Sequence, residues 1–304
     1  LARKLNRSSF SALKAPLKSD PAEYPLFASL INREFDLIGK NRYPGLVKVY
    51  EVTETSRAVP FMVLEYIPGI TLDGVAQIDD YKLLLSLLSS ISINLYYLRL
   101  LGISHGDMKP HNIFLPTGID NFGIAPIQYS KISDFSLALR DGEPPTARLG
   151  QGTIGYMAPE TIDRGELTHR SDIFALGVIA YKLATGKHPF IESETDPVRI
   201  SAAVKEHQPT PPSQITPSLP RPFDELILAM MKKNPGERPV DGWSICEELA
   251  KLGSDYPYRK AIRPKHLLVA IPPGDAAAAL NFPGFDFDWV ITERLLDYCN
   301  NDMI

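Results

Sequence analysis

The chain has 304 residues, 44% of them apolar and 22% charged, with 32 Lys and Arg against 36 Asp and Glu for a formal charge of −4. At roughly 150 residues per domain this length corresponds to about two domains, or one two-lobed domain with an appendage, and the composition excludes wholesale disorder, collagen and a disulfide scaffold. No basic stripe or block of like charge is present, so no nucleic-acid partner is expected; Cys246 and Cys299 are too few for a disulfide framework or a structural zinc site and point to reducing, cytoplasmic surroundings.

In chain order, Phe10 to Leu17 is short, partly alternating and flanked by polar residues, which predicts a strand carrying Lys14. Asp20-Pro21-Ala22-Glu23 has the form of a helix start, with a side-chain cap, proline at the first helical position and glutamate three residues past the cap. A helix to about Lys40 follows. On it Phe27, Leu30, Ile31, Glu34 and Ile38 fall at steps of three and four, which sets a carboxylate within the apolar stripe. Either Glu34 lies at the wet edge of that stripe, or it is buried and needs a cation, for which Lys14 is a candidate.

Strands are predicted at Leu46–Tyr50 and Phe61–Tyr66, the second running into the turn signal Pro68-Gly69. Helical patterns follow at about 79–101, 172–185 and 223–233. The first contains an uncharged run of 16 residues between Lys82 and Arg99 that includes four serines and Asn94, too short and too polar to span a bilayer. It reads as a buried core helix, and no membrane segment is expected. The prolines from Pro209 to Pro222 read as a stiff loop, because the stripe Phe223, Leu226, Ile227, Met230 after them calls for the same core. Strands plus one helix followed mainly by helices predict an α+β small lobe joined to a helical large lobe.

Two segments carry chemistry. Asp107, Lys109 and Asn112 lie within one loop and offer a proton acceptor, a cation for a phosphate and an amide oxygen for a metal. Asp134 supplies a second carboxylate at the end of the short apolar stretch Lys131-Ile132-Ser133. Together they form a candidate magnesium and proton-transfer site, although each residue alone is more often a loop cap.

These segments resemble the catalytic loop and metal-binding motif of the eukaryotic-type (Hanks-type) serine/threonine protein kinases, of the compact form common in bacteria. Further motifs follow in the family's order: Gly152 to Glu160 with Ala158-Pro159-Glu160 resembles the end of the activation segment, Ser171 to Val178 a supporting helix, and Asn234 to Pro239 the late arginine motif. The resemblance covers about residues 1–252. It implies a bilobal kinase-like fold with a small lobe over 1–66, a large lobe over 67–252 and an extension of unassigned role over 253–304.

The resemblance also implies roles. Lys14, in Ala12-Leu13-Lys14, would hold the α- and β-phosphates of ATP, with Glu34 as its helix partner. Leu64 would be the gatekeeper, the backbone of Glu65 to Ile67 the adenine-binding hinge, and Phe114 part of the pocket floor. Asp107 would accept the substrate proton, Lys109 would steady the moving phosphoryl group, and Asn112 and Asp134 would hold Mg²⁺, with Mn²⁺ as a substitute. Thr153 would bond near Asp107 and Lys109, Asp172 would hold the catalytic-loop backbone, and Glu160 with Arg238 would form a structural ion pair. Lys109 with Gly152-Thr153 resembles serine/threonine rather than tyrosine kinases, so the implied substrate is a protein hydroxyl of Ser or Thr.

The sequence departs from the family pattern at four places. No glycine-rich loop precedes the first strand, and since the chain opens at Leu1 rather than at methionine it is expected to be part of a longer protein in which that loop comes earlier. Gly106 stands where many kinases carry an arginine that pairs with an activation-loop phosphate, so activity is expected not to depend on that phosphate, although Thr146 is an available site. Ser136 replaces the glycine of the metal motif and is expected to restrict backbone flipping. The 22 positions from Asn112 to Asp134 suggest an enlarged hairpin loop. The tail is expected to hold a strand at 267–271 and a closing helix around 289–298. Two rival readings follow: a pseudokinase that binds nucleotide or partners as a scaffold, and a small-molecule kinase, which would lack the Ala-Pro-Glu segment.

Overall fold

The computed structural model describes residues 2–3, 10–16, 20–41, 43–116, 130–144, 152–191 and 196–254. The expectations for the tail, the interior of the 112–134 loop and Thr146 lie outside them. One continuous unit runs over Leu1–Tyr256.

The small lobe is an antiparallel sheet in the order β1-β2-β4-β3, made of β1 (Ala2–Arg3), β2 (Phe10–Lys14), β4 (Pro60–Glu65) and β3 (Val49–Glu54), with helix α1 (Tyr24–Ile38) packed on β3 and β4. β2 ends before Pro16, which cannot donate to a ladder. Asp20 accepts from Ala22 N at 2.9 Å and opens a 3-10 turn at Pro21–Glu23 that leads into α1. The strand expected at 46–50 is displaced: the ladder starts at Val49, with an irregularity between Val49 and Glu51. The reason is that Leu46 and Val47 belong elsewhere. Val47 N donates to Ile132 O, and Ile132 N to Gly45 O, both at 2.9 Å, so this stretch lies beside β8 (Lys131–Ile132) rather than in the ladder.

The large lobe is built on two buried helices, α2 (Tyr81–Leu100), capped by Asp80, and α4 (His169–Thr185), capped by Thr168 and Ser171 bonding each other's backbone N–H groups or that of a neighbour. By length and composition α2 could cross a membrane, yet it is largely buried and packs on α4 and on α8 (Gly242–Lys251). Two of its buried polar side chains have partners inside: Ser89 Oγ donates to Leu85 O at 2.8 Å, and Asn94 Nδ2 to Ser130 O at 3.0 Å.

The proline-rich stretch is not loop throughout. Pro212 opens the short helix α6 (Pro212–Ile215), and Pro222 sits in the first turn of α7 (Arg221–Met230), positions where proline's missing N–H has no intrahelical partner to lose. The helices α3 (Pro159–Arg164), α5 (Pro197–Glu206) and α8 were not foreseen. The protein thus has the expected α+β, two-lobed architecture.

Candidate active site

Three small elements position the chemistry between the lobes. Strand β6 (Ile103–Ser104) pairs with β9 (Leu139–Arg140), and β7 (Ile113–Pro116) pairs with β8 on one side and β5 (Gly69–Thr71) on the other. The loop after β6 carries Asp107, the turn before β7 carries Asn112, and the loop after β8 carries Asp134.

Asp172, in the first turn of α4, fixes the first of these loops by accepting from His105 N at 2.7 Å and Gly106 N at 3.0 Å. The His105 ring joins it to the loop after β8. Its Nδ1 accepts from Asp107 N at 3.2 Å, so Nε2 carries the proton and donates to Ser133 O at 3.0 Å. Asn112 adds a further tie, because its carbonyl accepts from Ser133 N at 2.9 Å.

Lys14 is the meeting point of the two lobes. Its Nζ donates to Glu34 Oε2 at 2.6 Å and to Asp134 Oδ1 at 2.7 Å. Glu34 is only 3% exposed, which resolves the two readings of its stripe in favour of the buried, paired carboxylate. Its other oxygen accepts from Phe135 N at 3.0 Å. Burial pulls the Lys14 ammonium down, but Glu34 and then Asp134 outweigh it and hold the group above the ordinary lysine value. Burial likewise pushes Asp134 up, and Lys14, with help from the Ser136 hydroxyl and His105, holds it below the usual carboxylate range.

A cleft of about 590 Å³ opens beside this ion triplet. Ala12, Lys14, Glu34, Leu64, Glu65, Ile67, Phe114, Asn112 and Asp134 all line it, so nine of the eleven site residues singled out in the sequence share one hollow. Ala12 and Leu64 face each other across the β2–β4 ladder. Val47 and His111 line the cleft too and were not foreseen, while Tyr66 belongs to the expected hinge; Val47 was hidden because its segment read as an ordinary strand.

Asp107 and Lys109 do not line that cleft. Asp107 lines a small neighbouring cavity together with Thr153 and is connected to the cleft through Asn112, whose Nδ2 donates to Asp107 Oδ2 at 3.1 Å. Lys109 Nζ donates to the same oxygen at 2.6 Å. No side-chain donor holds Oδ1 among the described residues; it lies 3.6 Å from the place a β-carbon on Gly152 would occupy. The carboxylate is therefore clamped at one oxygen and leaves the other as an acceptor beside a residue without a side chain.

Behind the cleft, Lys131 Nζ donates to both carboxylate oxygens of Glu65 at 2.8 Å, and Glu65 N donates to Lys48 O at 2.9 Å. Farther off, Arg238 and Glu160 form a fully buried pair.

The sequence model of the family described as "Protein kinase domain" matches residues 1–250. The chain belongs to the protein kinase family. Among bacterial relatives, this kinase-family chain is 28% identical to "Serine/threonine-protein kinase PknB" of Mycolicibacterium smegmatis over 293 residues, covering 92% of the chain and 45% of that relative. It is 32% identical to "Serine/threonine-protein kinase Pkn1" of Myxococcus xanthus over 223 residues, covering 71% of the chain and 30% of the relative. With "Serine/threonine-protein kinase PknA" of Mycobacterium tuberculosis the identity is 28% over 283 residues, 90% of the chain and 60% of the relative. The kinase-family chain thus spans between about a third and three fifths of the length of these relatives.

Proposed function

We propose that this chain is the catalytic unit of an ATP-dependent serine/threonine protein kinase, moving the γ-phosphoryl group of ATP to hydroxyls of protein substrates. One observation carries the reading: Lys14, on a small-lobe strand, bridges Glu34 and Asp134 at 2.6 and 2.7 Å at the edge of a cleft large enough for a nucleotide.

The donor set suits a magnesium ion, with Mn²⁺ as a substitute. The Asp134 carboxylate and the Asn112 amide oxygen are hard ligands, and Asn112 Nδ2 is committed to Asp107, which leaves its oxygen for a cation. No cluster of three or more His, Cys, Asp or Glu able to hold a metal occurs among the described residues, as expected for a cation whose shell is completed by phosphates and water. When bound, that cation neutralises phosphate charge.

Each protein group has a separate task in this proposal. Lys14, kept charged by Glu34, binds nucleotide phosphates. Since the Glu65 N–H is committed to Lys48 O, adenine is bound through the Glu65 carbonyl and the backbone at Ile67, over Phe114 and against Leu64 and Ala12. Asp107 takes the hydroxyl proton at Oδ1 while Lys109 and Asn112 orient it from Oδ2, and Lys109 balances the charge that develops on the phosphoryl group. The proposed setting is the cytoplasm, and the free, buried thiol of Cys246 suits a reducing milieu.

The test is transfer of label from γ-³²P-ATP to protein by the native chain and by Asp107→Asn, alongside nucleotide binding. Loss of a general base removes about 10²–10⁴ in rate, with nucleotide binding retained. Equal transfer by both proteins would dismiss the assigned chemistry, and binding without transfer by the native chain would favour the scaffold reading.

A further inference from the structure

Helix α1 is tied to the chain beyond Asp134 at three successive levels. At the first, Phe135 N donates to Glu34 Oε1 at 3.0 Å. At the second, Arg33 divides its guanidinium, Nη1 donating to Ala138 O and Nη2 to Glu143 Oε2, both at 2.7 Å. At the third, Arg140 Nη2 donates to Asp36 O at 3.0 Å, while Arg140 N donates to Glu143 Oε2 at 3.1 Å. Adjacent helical residues point about 100° apart. Glu34 therefore reaches into the cleft while its neighbour Arg33 grips the segment below.

Arg140 also belongs to β9, where it is the register partner of Ile103 in β6, the strand that leads into His105 and Asp107. The network thus joins α1 to the start of the catalytic loop through backbone as well as side chains.

An ion pair between half-exposed side chains such as Arg33 and Glu143 is weak by itself. Here the guanidinium is held at two acceptors, and the carboxylate it meets is held in turn by a backbone N–H, an arrangement whose members support one another. The network's anion is Glu143, a carboxylate of the chain itself, whereas Gly106 offers no side chain to anchor a phosphate and its φ of +80°, with Leu167 Cδ2 2.7 Å from an added β-carbon, opposes adding one.

We propose that Arg33, Arg140 and Glu143 are positioning residues: a latch, complete without phosphate, that holds α1 inward so that Glu34 stays on Lys14. Its kinetic consequence rests on the kinase reading; its mechanical consequence does not. Arg33→Ala, Arg33→Lys and Glu143→Gln are compared with the native full chain by hydrogen exchange at the Phe135 amide without nucleotide, by thermal midpoint, and by steady-state phosphotransfer.

Arg33→Ala and Glu143→Gln are each expected to speed Phe135 exchange, and to lower kcat/KM for ATP, by roughly tenfold, the loss of one charge-assisted bond. The thermal midpoint should fall by only a few degrees. Arg33→Lys should restore part of both effects, since an ammonium reaches one of the two acceptors, and Arg33→Ala combined with Glu143→Gln should lose little more than either alone. Unchanged Phe135 exchange in Glu143→Gln, an exposed substitution that leaves the core intact, overturns the latch even if Arg33→Ala fails to fold. Faster exchange in chains of which none, the native one included, transfers phosphate would keep the latch and dismiss the kinase reading.

Discussion

Arg238 and Glu160 meet through two parallel hydrogen bonds, Nη1 to Oε1 at 2.7 Å and Nη2 to Oε2 at 2.8 Å, with side chains 0% and 3% exposed. The guanidinium also donates to Lys232 O, Arg170 O and Lys233 O and lies 5.0 Å over the Phe174 ring, while Glu160 accepts from Ser171 Oγ. Removing one partner leaves a charge without water or counter-ion. Arg238→Met is therefore expected to destabilise the protein by about 3–5 kcal/mol, read as a fall in the urea midpoint. Arg238→Lys should recover only part of this, because an ammonium cannot serve both oxygens and the ring. A change within error for Arg238→Met would show that the pair does not anchor the large lobe.

Gly106 tests the expectation that no activation-segment phosphate is required. Its left-handed backbone and the nearness of Leu167 Cδ2 and of Leu137 O, 3.0 Å from an added β-carbon, mean that an arginine there meets strain before it can reach any anion. Gly106→Arg should lower stability by about 1–2 kcal/mol and should not make activity respond to phosphatase treatment. The native protein should keep its activity after such treatment. Complete loss of native activity on dephosphorylation would contradict this.

His188 supplies a pH dependence. Its Nδ1 accepts from Phe190 N at 3.1 Å, its ring meets Tyr156 edge-on with centroids 5.2 Å apart, and its buried Nε2 has no hydrogen-bond partner among the described residues. Burial, with Lys182 nearby, pushes its pKa down to about 4. An unfolded histidine titrates near 6.5, so between about pH 6.5 and 4 the unfolded chain binds a proton that the folded chain refuses. The stability involved is fully present above pH 6.5 and is lost as pH falls through that window, by about 3 kcal/mol in total. His188→Asn keeps an acceptor for Phe190 N and removes the titration. Urea midpoints between pH 7.5 and 5 should then converge for variant and native protein, and parallel pH slopes would contradict the assignment.

The sequence exposes what is periodic or consecutive and conceals what is assembled. Helix α4 was legible from about 172, but its first turn was not, because it depends on the cap formed by Thr168 and Ser171 and not on the apolar stripe. The stripe on α1 put Glu34 among apolar neighbours, yet only folding brings Lys14 and Asp134, 120 positions apart, onto one another. Asp107, Lys109 and Asn112 could be found because a single loop carries all three. Arg33, Arg140 and Glu143 could not, since each alone reads as an ordinary surface charge and Arg33 meets Glu143 across 110 positions. Leu46 and Val47 satisfied the strand pattern while pairing with a different neighbour, a distinction that alternation does not carry.

Ser136 is the departure with the most local consequence. Asp134 occupies the left-handed region at φ 64°, a conformation that costs a residue with a side chain of order 1 kcal/mol. The Lys14 ammonium holds it there at 2.7 Å, and the nearby Ser136 hydroxyl helps Lys14 keep the Asp134 carboxyl below its usual range. Ser136 itself is not among the described non-glycine residues with positive φ, so the arrangement requires no glycine at this position. Ser136→Gly removes the hydroxyl beside Asp134 and widens the conformations open to the unfolded and alternative states. The expected result is a loss of about 0.5–1 kcal/mol of stability and a weaker nucleotide affinity, measured with magnesium present. A Ser136→Gly protein matching the native one in both measurements would mean that the serine neither orients Asp134 nor restrains the backbone around it.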